Sequence, residues 1–244
     1  MTLDEPRPMR HEINLANTLT VLNGLVGFIS IWLTLEGLVI LAAQVLLLAV
    51  LLDALDGRVA RRRGGGSELG MELDSLADIV SFGVAPALFV YRAGLVVGGL
   101  LGVFAVSSLV VAGIIRLARF NIVKKGEYFM GLPIPAQALF LITYHLSDYV
   151  LPPEVFTVIV VALSLLMVST LKYPSFKSRH ALGLQAAVLG PFALALLAWE
   201  ALTSGLLVLD ALALPPLVVY VALGPLAHWV SNRSPKEAHS KKDR

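Results

Sequence analysis

The 244-residue chain contains no cysteine. Disulfides, iron–sulfur clusters, thiolate zinc sites and a cysteine nucleophile are thereby excluded, and cysteine usage says nothing of the redox compartment. Charge is scarce as well: 15% of residues are charged, against 57% that are hydrophobic. A soluble domain carries roughly 25% charged and about 45–50% apolar residues. Too little polar surface remains to wrap a core in water, so the composition is that of a membrane protein. The short alternating strands of a membrane barrel are missing, as are internal repeats and any polar linker that would divide the chain. What remains is one all-α membrane domain.

Eight segments approach the roughly 20 apolar residues that a span requires: 14–35, 37–57, 71–91, 93–115, 131–150, 154–171, 181–203 and 206–230. The predicted organisation is a tail over 1–13, a membrane domain over 14–231 and a basic tail over 232–244. The first apolar stretch holds Asn14, Asn17 and Asn23 and runs on without a short core ending in a cleavage site. It is expected to be a retained span, not an export signal. With eight spans, 18 of the 19 Lys and Arg fall on one side and Arg92 alone on the other. The positive-inside rule makes that side cytoplasmic, with both termini on it.

Four aspartates concentrate at this face. Asp53 and Asp56, three apart at the end of the second span, lie within roughly 60° of each other on a helix. Asp74 and Asp78, four apart at the start of the third, lie within roughly 40°. Gly64-Gly65-Gly66 is expected to break the helix between the pairs, with Ser67 as N-cap, so a tight hairpin sets two carboxylate pairs face to face. Each charge placed deep in a membrane helix costs about 2.5–3.5 kcal/mol, and four together on the order of 10 kcal/mol. Arg58 and Arg61 offset part of this in an interhelical salt-bridge cluster. A hard oxygen set of this density also suits Mg²⁺, Mn²⁺ or Ca²⁺, and two such ions would support phosphoryl-type chemistry. Gly57, Ala60 and Gly70 let a substrate approach the backbone; Gly57 and Ala60 serve close helix packing equally well.

The pattern Asp53-x-x-Asp56-Gly57-x-x-Ala60-Arg61-x8-Gly70-x3-Asp74-x3-Asp78 resembles the complete signature of the CDP-alcohol phosphatidyltransferases. The resemblance implies their fold and two divalent cations, Mg²⁺ or Mn²⁺, on Asp53, Asp56, Asp74 and Asp78. It also implies a CDP-lipid bound against Gly57, Ala60, Arg61, Gly70, Asn17 and Thr20, a homodimer and a place in the plasma membrane. Asp78 is implied as the base that deprotonates the acceptor alcohol, which attacks the lipid-bearing phosphorus as CMP leaves. A serine hydroxyl is a poor nucleophile at neutral pH and needs such a base.

Further stretches resemble the membrane-embedded members that use L-serine: Asn17-Thr-Leu-Thr20-Val-Leu-Asn23-Gly, Asp74 to Ala87, Arg116-Leu-Ala-Arg119-Phe-Asn121, Gly131-Leu-Pro-Ile-Pro-Ala136 and Tyr173-Pro-Ser-Phe176. The implied donor is CDP-diacylglycerol or CDP-archaeol, drawn from among the membrane lipids, and no nucleic-acid polymer is involved. Serine brings a carboxylate, which a guanidinium binds bidentately; Arg116 and Arg119 are the candidates, with interface anchoring as their other reading. Two further functions stay open at this point: a sister transferase acting on glycerol phosphate or inositol phosphate, and a cation transporter. The transporter reading wants carboxylates near the bilayer midplane, whereas these sit at one edge. Aspartate-rich prenyltransferases lack the Gly57-x-x-Ala60-Arg61 element. The five histidines show no ligand spacing, and Trp32, Trp199 and Trp229 sit where interfacial aromatics do.

Overall fold

The computed structural model describes residues 15–62, 67–122, 129–147, 150–173, 217–218 and 220–222. Seven helices make up nearly all of it: α1 (Leu15–Leu35), α2 (Val39–Arg62), α3 (Glu68–Asp78), α4 (Ala85–Arg92), α5 (Gly99–Ile122), α6 (Ile134–His145) and α7 (Pro153–Val168). A π turn over Ile79–Val84 fuses α3 to α4. Two-residue strands β1 (Phe129–Met130) and β2 (Lys172–Tyr173) pair antiparallel, Met130 opposite Lys172. Among the described residues, four helical segments are long and apolar enough to cross a membrane: Leu15–Leu35, Val39–Val59, Glu68–Arg92 and Gly99–Ile122. The expected all-α class holds.

Two expected spans need correction. The segment placed at 93–115 is the helix Gly99–Ile122. Gly94 (φ +72°) and Gly99 (φ +70°) adopt the left-handed conformation that turns the chain, which delays the helix and draws Arg116 and Arg119 into it. The segment placed at 131–150 is broken: Gly131 (φ +77°) turns out of β1, Pro133 precedes the helix, and α6 has only 12 residues. The glycine run 64–66, the span 181–203 and all but a few residues of 206–230 lie outside the described residues.

The first helix answers the puzzle of asparagines in a membrane span. Its buried residues include Asn17, Thr20, Asn23, Gly27, Ser30 and Thr34, a helical stripe that turns polar groups inward while Leu25, Phe28 and Trp32 face out. Ser30 donates to the Ala42 carbonyl of α2 at 3.0 Å, and Ser81 in the π turn donates to the Asn23 carbonyl at 2.9 Å. Gly27 permits that approach, since a Cβ there would overlap Ser81.

The π turn has a local cause. Pro86 has no N–H to give, and its ring crowds the carbonyl four residues back. The helix widens just upstream, with the Ala85 N–H bonded to the Val80 carbonyl five residues back. Phe82, Phe89, Leu109, Ile134, Leu141, Ile142 and Phe156 then fill a core where α4, α5, α6 and α7 meet. On the outer side of α5, Leu100 and Phe104 are 88% and 80% exposed, as suits a surface solvated by lipid tails.

Candidate active site

Antiparallel α2 and α3 bring their aspartates together against α1. One carboxylate oxygen each from Asp53, Asp56 and Asp74 lies within 4.8 Å of the others. Oxygen ligands of Mg²⁺ or Ca²⁺ sit at about 2.0–2.6 Å from the ion, so oxygens at this spacing can share a cation. The donor set is all carboxylate, which suits a hard divalent ion. Asp78, one turn beyond Asp74 and 6% exposed, stands outside that trio. Its Oδ1 is buried with no hydrogen-bond partner among the described residues. The charged groups acting on it are Asp53, Asp74, Asp56 and, as a cation, Arg116.

Local structure explains the placement. Ser67 caps α3 in extended conformation, its Oγ accepting from the Gly70 N–H at 3.0 Å, as its position before Glu68 predicts. Gly70 faces α1: a Cβ would stand 3.0 Å from Asn17 Oδ1 and 3.3 Å from Ser67 Oγ. The small residue is therefore accounted for by helix approach. Asn17 is buried there. Gly57 follows Asp56 half-buried on α2, and Ala60 and Arg61 lie on the same helix.

Thr20 reaches the carboxylates from α1. Its hydroxyl is 2.8 Å from Asp56 Oδ2 and 3.0 Å from the Ala16 carbonyl, so its single proton reaches a carboxylate that is 3% exposed. Hydrogen bonds of this kind orient metal ligands, and losing one costs about 10- to 100-fold in metal affinity. Thr20→Val keeps the shape and removes the donor. It is expected to raise the Mn²⁺ concentration for half-saturation by about 10-fold or more, as measured by calorimetry. Unaltered Mn²⁺ affinity would deny Thr20 this role.

The two arginines part company. Arg116 on α5 is 7% exposed, and its Nε has no partner among the described residues. Asp78 and Asp53 act on it as anions and Arg119 as a cation, and the neutral phenol of Tyr220 stands near it. Arg119, one turn later, instead gives its guanidinium to main-chain carbonyls of Val168, Ser169, Met130 and Met167. Of the two candidates, the guanidinium facing the carboxylates is that of Arg116.

Sequence reading gave three residues no role. Gln137 of α6 is fully buried, with both amide atoms lacking partners among the described residues. A lone amide in an apolar segment is itself a signal of function. Tyr173 and Tyr220 pack at a ring separation of 5.7 Å, and the Tyr173 hydroxyl donates to the Val221 carbonyl at 3.1 Å. That contact fixes a piece of the late chain near Arg116, and no spacing in the sequence announces it.

Comparison with known proteins matches residues 13–230 to the family model described as CDP-alcohol phosphatidyltransferase. A protein of Methanothermobacter thermautotrophicus named archaetidylserine synthase is 39% identical over 165 residues, covering 66% of this chain and 70% of that one. Two proteins named CDP-diacylglycerol–serine O-phosphatidyltransferase are also similar. That of Helicobacter pylori is 37% identical over 66% of this chain and 72% of its own. That of Bacillus subtilis is 32% identical over 69% of this chain and 94% of its own.

Proposed function

This chain belongs to the CDP-alcohol phosphatidyltransferase family, and we propose that it makes a serine phospholipid in the membrane. It transfers the phosphatidyl group of CDP-diacylglycerol, or the equivalent group of CDP-archaeol, to the hydroxyl of L-serine and releases CMP. The observation that carries this reading is the meeting of the Asp53, Asp56 and Asp74 oxygens with buried Asp78 and Arg116. The names of the similar proteins support serine as the acceptor.

In this reading Asp53, Asp56, Asp74 and Asp78 hold two divalent cations, Mg²⁺ or Mn²⁺. Bound there, such ions supply charge neutralisation for the diphosphate and for departing CMP. Asp78 takes the proton of the serine hydroxyl, the serine oxygen forms a bond to the lipid-bearing phosphorus, and the bond from that phosphorus to CMP breaks. Arg116 holds the serine carboxylate, which would be costly to leave unpaired at this depth. Gly57, Ala60, Arg61, Gly70 and Asn17 line the CDP-lipid side, and Thr20 acts through Asp56. The enzyme works as a homodimer in the plasma membrane, with the site, residues 1–13 and residues 232–244 in the cytoplasm. The crowding of Lys and Arg on that side supports the orientation, and the family resemblance supports the dimer.

The test is CMP release from CDP-diacylglycerol and from CDP-archaeol, with serine, glycerol 3-phosphate and inositol phosphate as acceptors in parallel. Release that depends on serine is the expected result. Release that depends on another acceptor instead would overturn the serine assignment.

A further inference from the structure

A helix end leaves its last carbonyls without intrahelical donors, and α7 ends at Val168 beside Arg119. Arg119 Nη1 donates to the Val168 carbonyl at 2.9 Å. Its Nη2 lies 3.0 Å from the Ser169 carbonyl, 3.1 Å from that of Met130 and 3.4 Å from that of Met167. One guanidinium thus gathers the end of α7 and strand β1 onto α5. Gly131 completes the junction. At φ +77° it brings its backbone so near that a Cβ would overlap the Met167 carbonyl and stand 3.0 Å from Arg119 Nη2. The Gly131 N–H donates to Leu171 at 2.8 Å and the Leu132 N–H to Leu166 at 3.1 Å. Gripping a carboxylate as well would require Arg119 to let these carbonyls go. Arg116 stands one turn earlier on the same helix, buried beside Asp78.

We infer that Arg119 is a positioning residue for the acceptor site: it docks α5 on the end of α7 and β1, and so holds the Arg116 guanidinium at Asp78 without touching serine. This rests on the reading that Arg116 binds the serine carboxylate. The planar fork is what the junction uses, since a lysine ammonium cannot span carbonyls on two elements with the same geometry.

Kinetics for both substrates on Arg119→Lys, Gly131→Ala, Arg116→Lys and the Arg116→Lys/Arg119→Lys double variant test it. Arg119→Lys is expected to raise the KM for serine about 10-fold, the size of one lost charge-assisted contact, with the KM for CDP-lipid within about 3-fold. Gly131→Ala faces only the junction and should show the same serine-selective rise. The double variant should be no worse than Arg116→Lys, because what Arg119 positions is already gone. Multiplicative losses in the double variant would mean that Arg119 meets serine independently, and would overturn the inference alone. So would an unchanged serine KM in Arg119→Lys, or equal rises for both substrates. Unchanged serine KM in Arg116→Lys would overturn the acceptor reading and this inference with it. CDP-lipid binding serves as the folding control, and if one junction variant fails to fold the other carries the test.

Discussion

Asp78→Asn is expected to slow CMP formation by about 100- to 10,000-fold, the usual contribution of a positioned general base, while CDP-lipid binding changes little. The expectation comes from where the carboxylate sits. Asp78 is buried, its Oδ1 has no hydrogen-bond partner among the described residues, and it stands outside the trio whose oxygens lie within 4.8 Å. An oxygen left without a donor in so enclosed a place suits transient acceptance of a proton. An amide of the same shape keeps the packing and loses that capacity. Single-turnover CMP release, with calorimetric binding of CDP-diacylglycerol alongside, separates the two effects. Mass spectrometry must exclude deamidation back to aspartate. A variant that binds and turns over at near the wild-type rate would remove Asp78 from the base role.

Metal removal should have an effect at least as large. Asp53, Asp56 and Asp74 bring three carboxylates to one spot, and a diphosphate adds more negative charge. Without cations the donor substrate and the site repel each other. Neutralisation by a bound ion is worth several kcal/mol, and each 1.36 kcal/mol is tenfold in rate. Chelation with EDTA is therefore expected to lower activity by about 1,000-fold or more, with recovery on adding Mg²⁺ or Mn²⁺. Asp53→Asn should need more of either ion for half-maximal activity and bind CDP-lipid more weakly. Activity that survives exhaustive chelation would refute the metal reading, and an unmoved ion requirement in Asp53→Asn would remove that residue from the ligand set.

The carboxylate half of the site was legible because spacing on a helix is local information. Three- and four-residue intervals, a cap at Ser67 and two antiparallel helices suffice to place Asp53, Asp56 and Asp74 together, with Asp78 one turn further along α3. The arginine half was not. Arg116 and Arg119 are the same residue type on the same helix, and only the tertiary contacts to Met130, Val168 and Ser169 tell a guanidinium held by main-chain carbonyls from one that faces the carboxylates. Span limits failed where glycine conformation decides. Gly and Pro are common in membrane helices, so nothing in the sequence said that Gly99 would begin α5 or that Gly131 would separate β1 from α6. The bond from Thr20 to Asp56 was not foreseen, since a hydroxyl on a helix face serves substrate and carboxylate alike. The contribution of Tyr220 depends on chain far from the signature, beyond the reach of any periodicity.

The inward polar stripe of α1 bears on how such a chain is made. Asn17, Thr20, Asn23, Ser30 and Thr34 offer lipid nothing, and a helix that leaves the ribosome with them has one face at odds with the bilayer until neighbours cover it. Ser30 reaches the Ala42 carbonyl of the very next helix, so the cover arrives as soon as α2 follows. Thr20 waits for the Asp56 carboxylate near the far end of that same helix. The cover is thus divided: α2 meets Ser30 and Thr20, while Gly70 of α3 and Ser81 of the π turn close on Asn17 and the Asn23 carbonyl, so the polar face of α1 is shut in stages as later helices arrive, and only its Asn17–Thr20 end stands at the carboxylates.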